Sequence, residues 1–431
     1  MSKLQDLIQE LCPNGVEYKT MSEICEIRNG YTPSKAVAEY WENGTVPWFR
    51  MEDIRLNGRI LSDSIQHITP QAIKGGRYFP KNSIILATTA TIGEHALIIA
   101  DSLANQQFTN LVIRKSLQDK INIKYFFYYM FIVDEWCKNN TNVSGFASVD
   151  MKKFKKLEIP IPPLPVQEEI VKILDRFAVY TAELQAELQA ELQARKEQYE
   201  YYRNLLLNFN HAYGAADEQQ KKSVTTWGGR SYEIQWKTLG EIGKFTRGNG
   251  LQKKDFTESG IPCIHYGQIY TYYGTFATQT KSFCTSELAK KLTKIKRGDL
   301  VIACTSENID DVCKTVAWLG DAEAVTGGHA CVLSHNENAK YISYFFQTYN
   351  FYQQKKRYAR GTKVIDIKVS DLEKIIIPIP PLELQERIVA ILDKFETLVN
   401  DLSQGLPAEI TAVQEQYEYY RNKLLTFKQV A

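Results

Sequence analysis

The sequence predicts an α+β protein in which one unit, a mixed α/β domain followed by a long helix, is used twice. Three observations predict it. The 431-residue chain repeats itself at a fixed offset of 218 residues. An apolar stripe at helical spacing runs through some forty residues after each domain-sized block. Within those blocks, short β-branched and aliphatic runs bounded by turn residues read as buried strands.

The repeat is plainest at a proline-rich junction. Ile159-Pro160-Ile161-Pro162-Pro163-Leu164 returns as Ile377-Pro378-Ile379-Pro380-Pro381-Leu382. Gln167 to Phe177 returns as Gln385 to Phe395 with eight of eleven positions identical, and Glu197 to Phe209 returns as Glu415 to Phe427. Lys19-Thr20 matches Lys237-Thr238, and Ile24 matches Ile242. The blocks before each junction keep only an apolar frame: Val46-Pro47-Trp48-Phe49-Arg50 faces Ile261-Pro262-Cys263-Ile264-His265, and Leu86-Ala87-Thr88-Thr89 faces Ile302-Ala303-Cys304-Thr305. One scaffold therefore carries two different polar surfaces.

In chain order, residues 1–158 form the first mixed domain, 159–210 the first helical spacer, 211–232 a linker, 233–376 the second domain and 377–431 the second spacer. Ser83 to Ala87, Asn110 to Arg114, Asp299 to Ala303 and Ala330 to Leu333 are the predicted strands, and Ile123 to Cys137 and Lys340 to Tyr352 the predicted aromatic-rich helices. Ile170, Ile173, Phe177, Leu184, Leu188, Leu192, Tyr199, Tyr202, Leu206 and Phe209 form the first spacer's stripe, with no Gly or Pro between Val166 and Phe209. A helix of that length with one apolar stripe needs a partner, which the second spacer supplies; the alternative is two helices each packed on its own domain. The second spacer contains Gly405 and Pro407, which predict a break or kink there. His211 to Arg230 is polar, with Gly214, Gly228 and Gly229, and reads as linker.

Composition bounds the function. The apolar fraction of 44% suffices for ordinary cores, and the mean hydropathy of −0.32 reads as soluble. The N-terminal stretch lacks a secretory h-region and no apolar run could span a bilayer, so a cytoplasmic location and no membrane partner are expected. Eight cysteines form no Cys-x-x-Cys pair, which points to free buried thiols and no metal site. Formal charge is only +2, but residues 16–158 carry 18 basic against 15 acidic side chains and residues 233–376 carry 20 against 15. Residues 167–209 carry 5 against 8, and 385–427 carry 4 against 7. A polyanion would meet the two mildly basic blocks.

Catalytic signatures are missing. There is no phosphate-binding P-loop, no Gly-x-Gly-x-x-Gly fingerprint and no Asn-Pro-Pro-aromatic motif for holding a flipped adenine. Gly243 to Gly250 reads as turn glycines, and Asp310-Asp311 as a solvated turn. The histidines at 67, 95, 211, 265, 329 and 335 are scattered.

Two copies of Ile-Pro-Ile-Pro-Pro-Leu, each followed by Gln-Glu-x-Ile-Val-x-Ile-Leu-Asp and a long helix, resemble type I restriction-modification specificity subunits, and Leu11 to Tyr18 resembles their opening segment. The resemblance covers essentially the whole chain. It implies two target-recognition domains separated by an antiparallel coiled-coil pair of helices, with a pseudo-twofold internal repeat. It implies a chain that reads double-stranded DNA, is not itself an enzyme, and assembles with two methyltransferase subunits and, through them, restriction/translocase subunits. It further implies no cofactor in this chain, the methyltransferases supplying S-adenosylmethionine. The sequence departs from the internal symmetry at Ala182-Glu183-Leu184-Gln185, repeated at 186–189 and 190–193 and without a counterpart in Asn400 to Gln414.

Candidates for base contact are polar residues in predicted loops of the divergent blocks, since Arg, Asn and Gln make bidentate contacts to base edges. In the first block they are Arg28, Asn29, Tyr31, Arg50, Thr88, Thr89, Gln106, Gln107 and Ser144; in the second, Arg247, Asn249, His265, Tyr266, Thr305, Ser306, His329, Arg360 and Thr362. Each is also open to a phosphate or plain surface role. Lys152, Lys153, Lys155 and Lys156 suit phosphates or form a solvated run. Phe177 and Phe395 are expected on a face that docks partner subunits. The other readings are a coiled-coil adaptor with two ligand-binding domains and no DNA role, which the basic balance of the divergent blocks disfavours, and a fused enzyme, which the missing signatures disfavour.

Overall fold

A computed structural model describes residues 3–142, 147–209, 222–400 and 405–430. Its contacts divide the chain into two compact units, Met1–Glu187 with Thr411–Ala431, and Leu188–Ile410. Each unit holds one head, and each holds helical segments from both copies of the repeat.

The first head is built on a five-stranded sheet in the order Cys25–Asn29, Phe108–Ile113, Ser83–Ala87, His95–Ile98, Ile60–Leu61. The first four strands are antiparallel and the last pair is parallel. Every residue of Ser83–Ala87 is buried. Alternation explains why: Ile84 and Leu86 enter the core beneath the helix Ile123–Asn139, while Ile85 and Ala87 enter a second core on the other face. A strand covered on both faces reads as an unbroken apolar run, as this one does. The second core is closed by a small sheet of His67–Ile68, Val46–Phe49 and Leu103–Ala104.

The second head repeats this sheet as Gly243–Arg247, Ala330–His335, Leu300–Ala303, Thr315–Trp318 and Phe276–Ala277, in the same order and with the same one parallel pair. Leu300 and Ile302 again face one core, Val301 and Ala303 the other. The small sheet is Ser282–Cys284, Ile261–Ile264 and Ala324–Thr326, extended by Thr293–Ile295. The helix expected over Lys340 to Tyr352 is two helices, Ala339–Phe345 and Tyr349–Tyr358. Thr348 makes the break, its hydroxyl accepting a hydrogen bond from the Phe351 amide at 3.2 Å as the cap of the second helix.

Part of the expected linker is strand. Lys222–Trp227 and Arg230–Thr238 form a hairpin, and the latter also pairs with Ile376–Ile379. Gly228 and Gly229, read as linker glycines, are its two-residue turn, with φ of +57° and +77°, the conformation such a turn demands. Residues 211–221 of the linker, with residue 210 before it, lie outside those described.

The first spacer is one helix, Leu164–Leu207, of 44 residues, about 66 Å long. The second is two helices, Leu382–Asn400 and Leu406–Leu424, with Gly405 directly before the latter and Pro407 in its first turn, where proline is tolerated. Residues 401–404 lie outside those described. Neither alternative for the helices describes the packing by itself. In the first unit, Phe177 meets Tyr420 at 6.3 Å between rings, and Gln185 donates to Gln414 at 3.1 Å, so the segments run antiparallel. In the second unit, Tyr199 and Tyr202 stack on Phe395 at 6.4 and 5.6 Å. Since Phe395 is the repeat partner of Phe177 and Tyr420 that of Tyr202, one contact is made twice with the copies exchanged.

The junction of head and helix is also built twice. The fully buried Gln167 side chain donates to the carbonyls of Lys120 and Pro162, at 2.8 and 2.6 Å, and accepts from the Asn122 amide at 2.8 Å. Gln385 donates to Pro380 and Glu337 at 2.8 and 2.7 Å and accepts from the Asn338 amide at 3.0 Å. Tyr125 donates to the Pro160 carbonyl and Tyr341 to that of Pro378, at 3.0 and 2.8 Å. Burial holds both phenols far above their ordinary titration range. Lys124 and Tyr128 bind Asp175 at 2.7 Å, and Lys340 and Tyr344 bind Asp393 at the same distance. These helix residues repeat at an offset of 216 rather than 218, which hides them from the main register of the repeat.

Candidate nucleic-acid interface

Antiparallel pairing carries the ends of three adjacent strands to one rim of each sheet. In the first head, Asn29 pairs with Thr109 and Ala87 with Phe108. The loops leaving Asn29, leaving Ala87 and entering Phe108 therefore converge. Phe49 joins them, because its carbonyl accepts from the Asn105 amide at 3.0 Å. Arg28, Asn29, Tyr31, Arg50, Thr88, Thr89, Gln106 and Gln107 all fall on this rim, and Ser144 lies outside the described residues.

Their availability differs. Tyr31 is committed to the head: its hydroxyl donates to the Ala72 carbonyl at 3.1 Å and accepts from the Lys74 amide at 2.7 Å. Thr88 is buried, its hydroxyl 2.9 Å from that of Thr109. Arg50 is half-buried over Trp48 and precedes the helix Met51–Asn57, its amide donating to Asp53 at 2.7 Å. Thr89 is half-buried and bridges to Ser148. Arg28, Asn29 and Gln106 are exposed. Among the described residues, Arg28 is paired with Glu26 at 3.0 Å, both in solvent, a contact worth little. Gln107 is held by Asn105, whose side chain donates to Oε1 at 3.3 Å and accepts from the Gln107 amide at 3.0 Å.

The second head presents the same rim with other chemistry. Arg247 and Asn249 leave the edge strand exposed. His265 follows Ile264 as Arg50 follows Phe49, but is buried and caps the helix Tyr266–Thr271, its Nδ1 accepting from the Gly267 amide at 3.1 Å. Burial, then the charges of Lys253 and the ring of His329, hold its pKa below the usual range. Tyr266 is half-buried between His265 and His329, at 4.5 and 5.0 Å between rings. Thr305 and Ser306 pair with Asp366 and Ile365. Arg360 is exposed, 3.4 Å from Asp371 and backbone-paired with Asp366. Thr362 is exposed. The strand contact between 305–306 and 365–366 thus carries Arg360 and Thr362 toward the rim.

Sequence reasoning missed the aromatic lining. Trp41 lies edge-on to Trp48 at 5.0 Å, Lys74 covers the Tyr31 ring at 4.8 Å, and Phe256 lies 5.6 Å from His265. Such rings interleaved with cations were legible only as separate loop residues. Lys152, Lys153, Lys155 and Lys156 are exposed around the short helix Met151–Phe154. Phe177 is exposed beside Tyr420 and Phe395 is half-buried beneath Tyr199 and Tyr202, so both also take part in the helix contacts described above. Besides Phe177, exposed apolar side chains on the helices include Val179, Tyr180, Leu184, Tyr201 and Leu205 on the first spacer and Leu382, Ile391, Leu398, Tyr419 and Tyr420 on the second. All eight cysteines are free and buried, and the described residues contain no metal-ligand cluster and no helix long and apolar enough to cross a membrane.

Two rims of one design with different side chains match what a family comparison finds. Residues 13–194 and 233–412 each match the model of the type I restriction modification DNA specificity domain. The chain belongs to that family. It is 39% identical over 94% of its length to the type I restriction enzyme EcoprrI specificity subunit of Escherichia coli, covering 93% of that protein. It is 30% identical to a putative specificity subunit of Haemophilus influenzae, with 96% of each chain covered. A chain from a structure of type I R-M complex assembly and conformational transition superposes with a TM-score of 0.68 at 16% identity, covering 96% of this chain and 98% of that one. The HsdS subunit of Thermoanaerobacter tengcongensis superposes with a TM-score of 0.53 at 16% identity, over 97% and 99%. At that identity the likeness is one of fold. As a specificity chain, this protein recognises DNA sequence within a type I restriction-modification complex and is non-catalytic; the adaptor reading is not favoured.

Proposed function

We propose that each head reads one half of a split, asymmetric DNA target through its rim, with unread base pairs between the halves. The carrying observation is that the same five-stranded order and the same strand ends present different polar side chains in the two heads. A doubled scaffold places two readers on one duplex, as dimers do on palindromes, and unlike readers make the site asymmetric. In this reading the exposed rim residues Arg28, Asn29, Gln106, Arg247, Asn249, Arg360 and Thr362 approach bases or phosphates, while Tyr31, Thr88 and His265 shape the rim. The helices and proline-rich junctions dock two methyltransferase subunits, which bring S-adenosylmethionine, and restriction/translocase subunits join through them. This chain binds no cofactor of its own and works in the cytoplasm.

Replacing residues 16–158 by the corresponding block of another family member, with methylation mapped in cells carrying the complete system, is the test. One half-site is expected to change and the other to persist. A change in both half-sites overturns independent reading.

A further inference from the structure

We infer that His329 is a base-reading residue of the second head and that its repeat counterpart, Gln107, holds the same post in the first. The inference deepens the half-site reading above and rests on it.

The equivalence is geometric. His329 immediately precedes the strand Ala330–His335, and Gln107 immediately precedes Phe108–Ile113. The His329 carbonyl accepts from the amide that follows Ala303, that of Cys304, at 2.8 Å. The Gln107 carbonyl accepts from the amide that follows Ala87, that of Thr88, at 2.9 Å. The two carbonyls are therefore fixed alike against equivalent strands, while the side chains differ and only His329 has a positive φ.

His329 is held in a way that no packing need explains. Its φ is +65°, a conformation uncommon for a residue with a β-carbon. The residues around it are tightly fitted: a β-carbon at Gly248 would lie 1.9 Å from the Gly327 carbonyl oxygen. Yet the His329 side chain itself is exposed. Its ring is aimed by two contacts. Nδ1 lies 3.1 Å from the Thr305 hydroxyl, and the ring sits 5.0 Å from that of Tyr266, at the outer end of the series Phe256, His265, Tyr266. Nε2 has no hydrogen-bond partner among the described residues. Strained backbone, an ordered ring and a free polar atom at a rim together are what a reading group requires. With the Thr305 hydroxyl donating to Nδ1, the neutral ring carries its proton on Nε2 and addresses an acceptor on a base edge, such as guanine O6 or N7. Gln107, pinned by Asn105, offers an amide instead, which suits the paired donor and acceptor of adenine.

The test uses the intact restriction-modification complex, assayed by methylation mapping and by competition with duplexes changed at one base pair at a time. His329→Ala should lower discrimination at one position of one half-site by roughly 5- to 150-fold, leaving every other position unchanged. Gln107→Ala should do the same in the other half-site. His329→Asn keeps the left-handed backbone, which asparagine tolerates, so its melting temperature should match the wild type while discrimination at that position is still lost. Unchanged discrimination, or an equal loss against all duplexes by the stably folded Asn variant, overturns the inference. If the wild-type complex shows no split target at all, the half-site reading fails first.

Discussion

Gln167 and Gln385 make nearly the same buried hydrogen bonds where each head meets its helix, whereas Gln107 and His329 share a backbone position at the rims and nothing of their side-chain chemistry. The junction must satisfy a proline carbonyl and the amide of the asparagine that caps the helix packed against it, Asn122 or Asn338, a fixed problem with one good solution. The rim meets a ligand, and its frame accepts any side chain that leaves the strands paired. Sequence identity within this chain therefore marks the shared mechanical parts, and divergence marks the readers.

The comparison is tested most severely at the junctions. Gln167→Ala strands the Asn122 amide and the Lys120 and Pro162 carbonyls, and Gln385→Ala strands the Asn338 amide and the Pro380 carbonyl. Each substitution should cost about 3 kcal/mol, from the penalty for buried unpaired groups, read by chemical denaturation. Losses that differ by more than about 2 kcal/mol would show that the two junctions are not equivalent.

Acid should separate the heads. His95 is fully buried in the first, where burial lowers its pKa against the opposing pull of Asp134, 2.7 Å away. The second has His335 and His265, both lowered first by burial. A histidine kept neutral in the fold but free to protonate when unfolded contributes stability above its unfolded pKa, near 6.5. That contribution is lost as pH falls below it, by at most about 1.4 kcal/mol per pH unit for each group. Between roughly pH 6.5 and 5 the second unit should weaken up to twice as steeply as the first. His335→Gln should flatten its slope; an unchanged slope, followed by unfolding at several pH values, would remove His335 from the account.

The hairpin Lys222–Trp227 and Arg230–Thr238 gives a smaller contrast, because among the described residues the pairing of Glu17–Thr20 with Glu158–Ile161 in the first unit has no such third strand. Gly229→Ala at φ +77° should cost about 1 kcal/mol and act on the second unit alone. No measurable change in that unit's melting temperature would mean the turn relaxes at no cost.

Each feature was legible in sequence to the extent that its physical requirement leaves a local pattern. The sheet strands were readable because a strand covered on both faces is apolar without interruption, as in Ser83–Ala87 and Leu300–Ala303. The long helix was readable because nothing from Val166 onward interrupts its stripe. The exchange of helix halves between units was not, since Phe177 and Phe395 look alike whether they meet Tyr420 and Tyr202 or solvent. The start of the hairpin reads as linker because its first strand, Lys222–Trp227, alternates exposed and half-buried residues rich in Lys, Thr and Ser, with only a glycine pair to mark the turn. At the rims, Arg28, Asn29, Arg247, Thr305 and Ser306 stand in strands and Tyr266 in a short helix rather than in the expected loops, because the strands run to the rim itself, and burial decides which polar atoms remain free. Thr88 and Arg28 are equally polar in sequence and differ in the structure because only one lies beneath a neighbouring strand.

The smallest expected effect lies in the one part of the helices without a repeat partner. The three Ala-Glu-Leu-Gln units span residues 182–193, and the division between the compact units falls inside them, after Glu187. Leu184 is 42% exposed, Leu188 is half-buried and Leu192 is 8% exposed. Removing one unit shortens the helix by about 6 Å and rotates the residues beyond the deletion by about 40° net of a full turn. A base pair turns by roughly 34–36° at 10–10.5 per turn but rises only ~3.4 Å, so rotation matches one base pair more closely than length does. The apolar stripe is kept, because a four-residue deletion brings Leu188 into the place of Leu192, and helical pairs absorb such a phase shift by local overwinding. Deleting 190–193 should therefore leave both half-sites and the stability of each head intact and shorten the unread spacer by one base pair, seen by methylation mapping of the variant system. A spacer of unchanged length at full methylation would show that the repeats do not set the distance between the readers.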